Sequence, residues 1–427
     1  MKHTLADLKA GKLKGIKHLK ISENITEFPL EIFELADTLE ILDLSQNQLQ
    51  GIPDDFSTLS KLKIFFASEN PISIFPEVLG TCTNLEMIGF KACNIEFIPT
   101  NAFPPKLRWL ILTQNKISSI PDSLGKCVRL QKCMLAGNQL KTLPETLKNC
   151  VNLELLRISA NQFDQLPECV LKLPKLAWLA TAGNPFCETS LSLTELETLE
   201  YSDFEIKEIL GQGASGIIHL ANYIPENKNY ALKIYKNDIT SDGYVDSEIL
   251  ATLLAGNHAH KVTVKALVKG APDNKKIVAF ELIPNTFYNL GVSPTFESCS
   301  RDVFASDFKL SSSELLKLCI QMCEIATHLH DMYIMHGDLY AHNTLIDKDK
   351  NLLFGDFGAG LYYKNQEPIL RDFFEKLEVR AFGYFIDDLD KFAPEIPQLI
   401  QLKQKCLHEH FSERPNFKEI LAALKNI

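Results

Sequence analysis

At 427 residues the chain exceeds what one hydrophobic core usually serves, so two domains are expected. With 45% hydrophobic and 23% charged residues it has the balance of a folded soluble protein, and no apolar run is long enough for a membrane-spanning helix. The net charge of −10 splits into +1 over residues 1–186 and −11 over the rest, which argues against nucleic-acid binding and suits either basic protein substrates or solubility alone.

The N-terminal stretch, Met1-Lys2-His3-Thr4-Leu5-Ala6-Asp7, lacks the apolar core of a secretory leader. The eleven cysteines are odd in number, and Cys82, Cys127 and Cys150 recur at one register of a repeat, as small core fillers do. Reduced thiols in a cytoplasmic setting are therefore expected. Thr4-x-x-Asp7 with apolar Leu5 and Leu8 predicts a short helix within residues 3–14, capping the first repeat.

The chain from residue 16 to about 187 is periodic. Repeats start at Ile16, Leu39, Leu62, Leu85, Leu107, Leu130, Leu153 and Leu176, spaced by 22 or 23 residues. Eight positions into each stand Asn24, Asn47, Asn70, Cys93, Asn115, Asn138, Asn161 and Asn184, and a proline closes most turns. Each unit reads L-x-x-L-x-L-x-x-N-x-L and resembles a leucine-rich repeat. The apolar alternation predicts a short strand with inward leucines, the Asn a side chain that satisfies backbone groups at the turn, and the stack one continuous core. The outward strand positions include Phe66, Met87, Trp109, Ile111, Met134 and Trp178. An apolar stripe of that kind on a sheet face needs a cover, so a protein partner or a second copy is expected there. Residues 1–187 are read as this repeat domain and 188–202 as a connector, with Thr194-x-x-Glu197 and leucines at 193, 196 and 199 predicting helix within Ser190–Tyr201.

From 203 onward the parts serve phosphate chemistry. Strand-like Phe204–Leu210 leads to Gly211-Gln212-Gly213-Ala214-Ser215-Gly216, whose glycines let backbone fold over phosphates, with Ile218 placed to pack on a base. Further strands, Ile217–Tyr223 and Tyr230–Tyr235, make this a hairpin rather than a strand-to-helix dinucleotide loop. Ala231-Leu232-Lys233-Ile234 places Lys233 to hold α- and β-phosphates. A helix is predicted over Tyr244–Leu254, where Glu248 is favoured over Asp246 and Asp242 as the partner of Lys233. Ile277–Phe280 runs into Glu281-Leu282-Ile283, and a long helix over Ser312–His330 delivers His336-Gly337-Asp338-Leu339-Tyr340-Ala341-His342-Asn343. Asp338 and Asn343 supply a candidate base and a metal ligand on one loop, and Asp356 of Asp356-Phe357-Gly358 supplies a second ligand. Tyr362 and Tyr363, a few residues on, are candidate phosphorylation sites, against the plainer reading of ordinary loop tyrosines.

Together these motifs make residues 203–427 similar to a eukaryotic-type protein kinase domain, and the whole chain resembles the leucine-rich-repeat protein kinases of bacteria and protists. The fold implied is an α/β repeat solenoid followed by an α+β two-lobed domain. The resemblance implies Asp338 as the base that orients the acceptor hydroxyl and Lys233–Glu248 as the activating ion pair. It further implies Asn343 and Asp356 holding Mg²⁺, a hinge at Glu281 and Ile283 reading the adenine of ATP with Phe280 as gatekeeper, and Leu345 beneath the adenine.

The pattern also departs from the family. Gly337 stands for the Arg that an activation-segment phosphate would neutralise, and Glu378 replaces the usual Asp at the start of the central helix. Tyr340 stands where serine/threonine kinases place Lys, although a serine/threonine acceptor is favoured over tyrosine. Arg414 lacks an assigned carboxylate partner. A pseudokinase scaffold and a small-molecule phosphotransferase are the alternative functions.

Overall fold

A computed structural model describes residues 3–188, 197–213 and 215–427. The chain divides into two compact units, Met1–Leu176 with Asn184–Phe186, and Ala177–Gly183 with Cys187–Ile427.

In the first unit α1 (Leu5–Lys9) begins at Thr4, whose side chain accepts from the Asp7 amide. Strands β1 (His18–Lys20), β2 (Ile41–Asp43), β3 (Ile64–Phe66), β4 (Met87–Gly89), β5 (Trp109–Ile111), β6 (Lys132–Met134) and β7 (Leu155–Arg157) pair in parallel in chain order. Their central residues, from Leu42 and Phe65 to Cys133 and Leu156, are fully buried. Pro53, Pro76, Pro121 and Pro144 each open a single 3₁₀ turn on the return path, where a fixed φ suits the entry and a missing N–H leaves no donor unpaired. One repeat returns instead through α2 (Glu168–Leu171). Between strands and turns, Phe28, Phe56, Phe65, Phe90, Phe75 and Phe103 form a chain of ring contacts with centroids 4.6–5.9 Å apart.

The asparagines explain the fixed period. Asn115 donates to the carbonyls of Phe90 (2.8 Å) and Leu112 (2.9 Å), while its side-chain oxygen accepts from the amides of Cys93 (3.1 Å) and Ile95 (2.9 Å). Asn47, Asn70, Asn138 and Asn161 donate in the same way to their own repeat and the one before. Cys93, in the Asn register, keeps the donor half of this role, its thiol reaching the Ala67 carbonyl at 3.2 Å. All eleven cysteines are free thiols, and burial raises Cys82 and Cys127 to about 11, which makes them inert fillers.

The outward stripe is less open than the sequence pattern implied. Met87 and Trp178 are buried, whereas Phe66, Trp109, Ile111 and Met134 keep partial exposure. Neighbouring strands let these side chains cover one another. The Trp109 indole nitrogen lies 3.4 Å from the Met134 sulfur, Lys132 sits 4.5 Å over the Trp109 ring, and the Phe66 ring lies where a Cβ on Gly89 would fall.

The second unit contains β8 (Trp178–Ala180) and a sheet built from β9 (Thr198–Glu200), β10 (Phe204–Gln212), β11 (Gly216–Tyr223), β12 (Lys228–Tyr235), β13 (Val264–Lys269) and β14 (Ile277–Glu281), ordered β10-β11-β12-β14-β13-β9. The helix expected over Ser190–Tyr201 falls outside the described residues as far as 196. Thr198–Glu200 is strand instead: it pairs in parallel with Leu267–Lys269, and Leu199 packs against the core formed by Phe204, Tyr230 and Ile277. Helix α3 (Val245–Leu254) packs Val245 and Ile249 onto the opposite core with Tyr235 and Val278.

The rest of this unit is largely helical: β15 (Tyr288–Asn289), α4 (Ser312–Asp331), β16 (Ile334–Met335), β17 (Thr344–Ile346), β18 (Leu352–Phe354), β19 (Leu361–Tyr362), α5 (Pro368–Leu389), α6 (Pro397–Cys406) and α7 (Phe417–Leu424). Ser311 and Glu314 close a capping box at the start of α4, as Asn416 and Glu419 do for α7. The expected two-part architecture, a repeat array and a mixed-sheet-plus-helix unit, is thus present.

Asn115→Ala is predicted to destabilise the repeat unit by about 2–4 kcal/mol, because it leaves two buried amides without an acceptor. Urea unfolding monitored by circular dichroism checks this; a change below ~0.5 kcal/mol would show that the asparagine bonds do not set the array's stability.

Candidate active site

A cavity of about 620 Å³ opens between β10–β12, α3, β14 and the loop after β18. Leu210, Ile218, Leu220, Ala231, Val262, Phe280, Leu282 and Ile283 give it apolar walls, while Lys233, Glu248 and Asp356 supply charge. Strand periodicity explains the convergence. Ile218 and Leu220 are two apart on β11 and share a face, and Ala231, Lys233 and Tyr235 do the same on β12. Gly216 is required by close approach, since a Cβ there would sit 2.7 Å from the Ile234 carbonyl oxygen.

Lys233 meets Glu248 at 2.6 Å, and the Tyr235 hydroxyl donates to the same carboxylate oxygen at 2.8 Å. Burial works against the Lys233 ammonium, but Glu248 and then Asp356 outweigh it and hold its pKa above the ordinary lysine value. The competitors for Lys233 are otherwise engaged or more remote: Asp246 pairs with Lys276 at 2.9 Å, and Asp242 acts on Lys233 only through its charge.

The loop from 336 to 343 is fixed from below and from the side. Glu378, buried in α5, accepts from the backbone amides of His336 (3.2 Å) and Gly337 (2.9 Å) and lies 2.8 Å from His330 Nε2. Burial acts to raise the Glu378 pKa, but the His330 contact and the Gly337 amide bring it below the ordinary carboxylate value. Burial lowers the His336 pKa and keeps the ring neutral, so Nε2–H donates to Gly355 O at 2.9 Å while Nδ1 accepts from the Asp338 amide at 3.3 Å. Its ring stacks on Phe354 at 4.0 Å and touches Phe357 at 4.7 Å. Asn343 donates to the Asp338 carbonyl (3.0 Å) and carboxylate (3.1 Å), and its own carbonyl accepts from the Gly355 amide at 3.2 Å. The 336–343 loop is thereby bonded to the Asp356 loop. Asp356 itself takes a left-handed φ of 61°, a conformation rare for a non-glycine residue and common where a side chain must be aimed.

Of the residues singled out from sequence, Ile218, Ala231, Lys233, Glu248, Glu281, Ile283 and Asp356 line the cavity. Gly211 belongs to the β10–β11 pairing and Gly213 bonds to Gly216, but these glycines, like Leu345, are not among the lining residues. Tyr235, Leu210 and Leu220 were missed, although Tyr235 is two residues from Lys233, Leu220 is two from Ile218, and Leu210 directly precedes Gly211. Val262 carried no such signal. Arg414 is buried, and its described bonds run to the carbonyls of Lys376, His408 and Glu409 rather than to a carboxylate. Tyr363, a candidate phosphorylation site in the sequence, is buried with its hydroxyl 2.8 Å from His330 Nδ1.

The donor set suits a hard divalent cation shared with phosphate. Asn343 Oδ1 has no hydrogen-bond partner among the described residues, Asp356 is exposed at the cavity, and no cluster of three ligating side chains exists among the described residues to form a closed cage.

Residues 204–381 match the family model of the protein kinase domain, and residues 38–59 and 106–127 match that of the leucine-rich repeat. The serine/threonine-protein kinase PITSLRE of Drosophila melanogaster is 26% identical over 163 residues, 38% of this chain and 16% of that protein. The serine/threonine-protein kinase CLA4 of Candida albicans is 31% identical over 155 residues, 36% of this chain and 15% of the relative. A probable serine/threonine-protein kinase of Dictyostelium discoideum is 22% identical over 283 residues, covering 55% and 19%. The chain thus spans less than a fifth of the length of these relatives. No helix among the described residues is long and apolar enough to cross a membrane.

Because the folded-state pKa of Glu378 lies below its unfolded value, its contribution to stability is present above the unfolded carboxylate pKa of about 4.3 and is lost as pH falls through the folded value. Glu378→Gln should therefore flatten the acid limb of the stability profile. Unfolding measured between neutral pH and mild acid checks this, and parallel profiles for parent and variant would contradict it.

Proposed function

We propose that this chain, which carries a protein kinase domain and leucine-rich repeats, transfers the γ-phosphate of ATP to a protein hydroxyl. The observation that carries the reading is the Lys233–Glu248 pair at 2.6 Å in a cavity that Asp356 also lines, with the Asp338–Asn343 loop bonded to the Asp356 loop through Gly355. The relatives named as serine/threonine-protein kinases favour a serine or threonine acceptor. Tyr340 in place of Lys is the departure that reading must accommodate.

In this reading the apolar walls and the main chain near Glu281 and Ile283 take the base, and Lys233 holds the α- and β-phosphates. Asn343 and Asp356 would hold Mg²⁺, which when bound neutralises phosphate charge. Glu248 and Tyr235 keep the Lys233 ammonium aimed into the cavity. Asp338, steadied by Asn343 and by the His336 contact to its amide, orients the acceptor hydroxyl and takes its proton. Most of the rate enhancement then comes from positioning and charge complementarity, so the machinery is sensitive to single deletions.

Purified protein with labelled ATP, Mg²⁺ and a generic protein acceptor is the test. Asp338→Asn and Asp356→Ala should each lower transfer by roughly two orders of magnitude or more, and Lys233→Met should abolish it while the protein still unfolds in a cooperative thermal transition. Residual activity equal to the parent would sink the residue roles. No detectable ATP binding by the parent would favour a scaffold, and phosphorylation of small hydroxyl compounds alone would favour a small-molecule transferase.

For the repeats, the partly exposed Phe66, Trp109, Ile111 and Met134 support docking of a protein partner or a second copy, since aromatic residues and Met are enriched at such contacts. A Phe66→Asp/Trp109→Asp double variant should keep transfer to a generic acceptor while losing self-association in light scattering or capture of its substrate. Retention of both would remove this face from consideration.

A further inference from the structure

Residues 177–183 belong to the second unit, where Trp178 and Leu179 meet the 336–343 loop. The Trp178 indole nitrogen donates to the Leu339 carbonyl at 3.0 Å, a buried bond to the peptide that joins Leu339 to Tyr340. The Trp178 ring stacks on Tyr340 at 4.2 Å and 10°, and on Tyr384 of α5 at 5.2 Å and 20°. Arg301, paired with Asp387 and Asp388, lies 4.5 Å over the Tyr384 ring. One residue on, the Leu179 carbonyl oxygen lies 2.6 Å from where a Cβ on Gly337 would stand, and Gly337 has a φ of +73°. Only glycine combines that φ with that approach. Trp178 is 1% exposed and Tyr340 4%.

Two neighbouring departures, Gly337 and Tyr340, and the Leu339 carbonyl between them are engaged by the same segment. Gly337 makes room for the Leu179 backbone. Tyr340 supplies a flat partner for Trp178. Leu339 offers its carbonyl to the indole. Where an Arg before the base would need an outside phosphate to fix the loop, this loop is fixed by an indole bond and a stack anchored on α5.

Resting on the kinase reading above, we propose that Trp178 is a positioning residue of the phosphotransfer reaction, holding the Asp338–Tyr340 backbone in register through its bond to Leu339 and its stack on Tyr340. It touches neither nucleotide nor acceptor in this role and acts through the loop.

The test compares full-length parent, Trp178→Phe and Trp178→Ala by steady-state kinetics and by hydrogen–deuterium exchange of the 336–343 amides. Trp178→Ala should lower kcat about ten- to a hundredfold, as a small displacement of a catalytic group does, with KM for ATP within about twofold. Trp178→Phe, which keeps a ring but no N–H, should recover part of that loss and remains informative if the Ala variant does not fold. Exchange over 336–343 should quicken in the order parent, Phe, Ala. An unchanged kcat with unchanged exchange would reduce Trp178 to packing and overturn the proposal. A raised kcat would overturn it too, making the segment a cover instead of a support. If the parent transfers no phosphate, the kinase reading fails by itself, and the exchange order alone then upholds or overturns the positioning role.

Discussion

A buried carboxylate beneath a loop is the constraint on which the second unit depends. Glu378 is 2% exposed, and an isolated ionised carboxylate at that depth would carry a prohibitive desolvation cost. It is tolerable because two backbone amides and His330 converge on it, and those amides belong to His336 and Gly337. The energetic need of the carboxylate thus becomes the geometric order of the loop. With His336 held, its neutral ring spans from the Asp338 amide to the Gly355 carbonyl and stacks on Phe354, so the loop after β18 inherits the same order. Asp338, Asn343 and Asp356 are placed relative to one another through that chain of bonds, without any of them needing a direct anchor in the core.

The repeat unit solves a different problem by a related device. A stack of short parallel strands leaves backbone groups at every turn, and each of these must be satisfied away from water. An asparagine has two donors and an acceptor with two lone pairs, which is what the turn of one repeat and the edge of the previous one require together. Asn115 uses all of that capacity. This is why the period is kept so closely at 22 or 23 residues while the outward positions drift between charged, aromatic and aliphatic types.

Much of this was legible in the sequence because it is carried by local spacing. The Asn period announces the turn chemistry, and Asp338-x₄-Asn343 with Asp356 announces a loop pair, since the bonds involved join residues a few positions or one hairpin apart. The choice of Glu248 over Asp246 followed from the phosphotransfer pattern, which needs an inward-facing Glu on this helix, and the structure brings Glu248 to Lys233. The failures lie where partners are distant. Leu199 reads as part of a helical leucine pattern, yet it finds a sheet edge at β13 that no local rule contains. Trp178 reads as an outward position of a repeat, but its partners are 161 and more residues away in the chain. Met87 shows the limit of the alternation rule, which assigns a face and not an exposure.

Lys261 shows why a buried charge is the hardest feature to read from composition. It is 1% exposed, and its cation lies 5.4 Å from the Phe357 ring centroid with a single long bond of 3.4 Å to the Val262 carbonyl. No carboxylate pairs with it among the described residues, and burial pulls its pKa down to about 8. The depressed value means the unfolded chain binds the proton more tightly, so below pH 8 this lysine opposes folding, and the opposition fades as pH rises toward the unfolded value of about 10.4. Lys261 sits against the same Phe357 that touches His336, so the loop pair ordered by a satisfied carboxylate is also bordered by a cation without a carboxylate partner among the described residues. The ordering of these loops therefore draws on Glu378 with its donors and on the Trp178 contacts, while the lysine beside Phe357 supplies a cost.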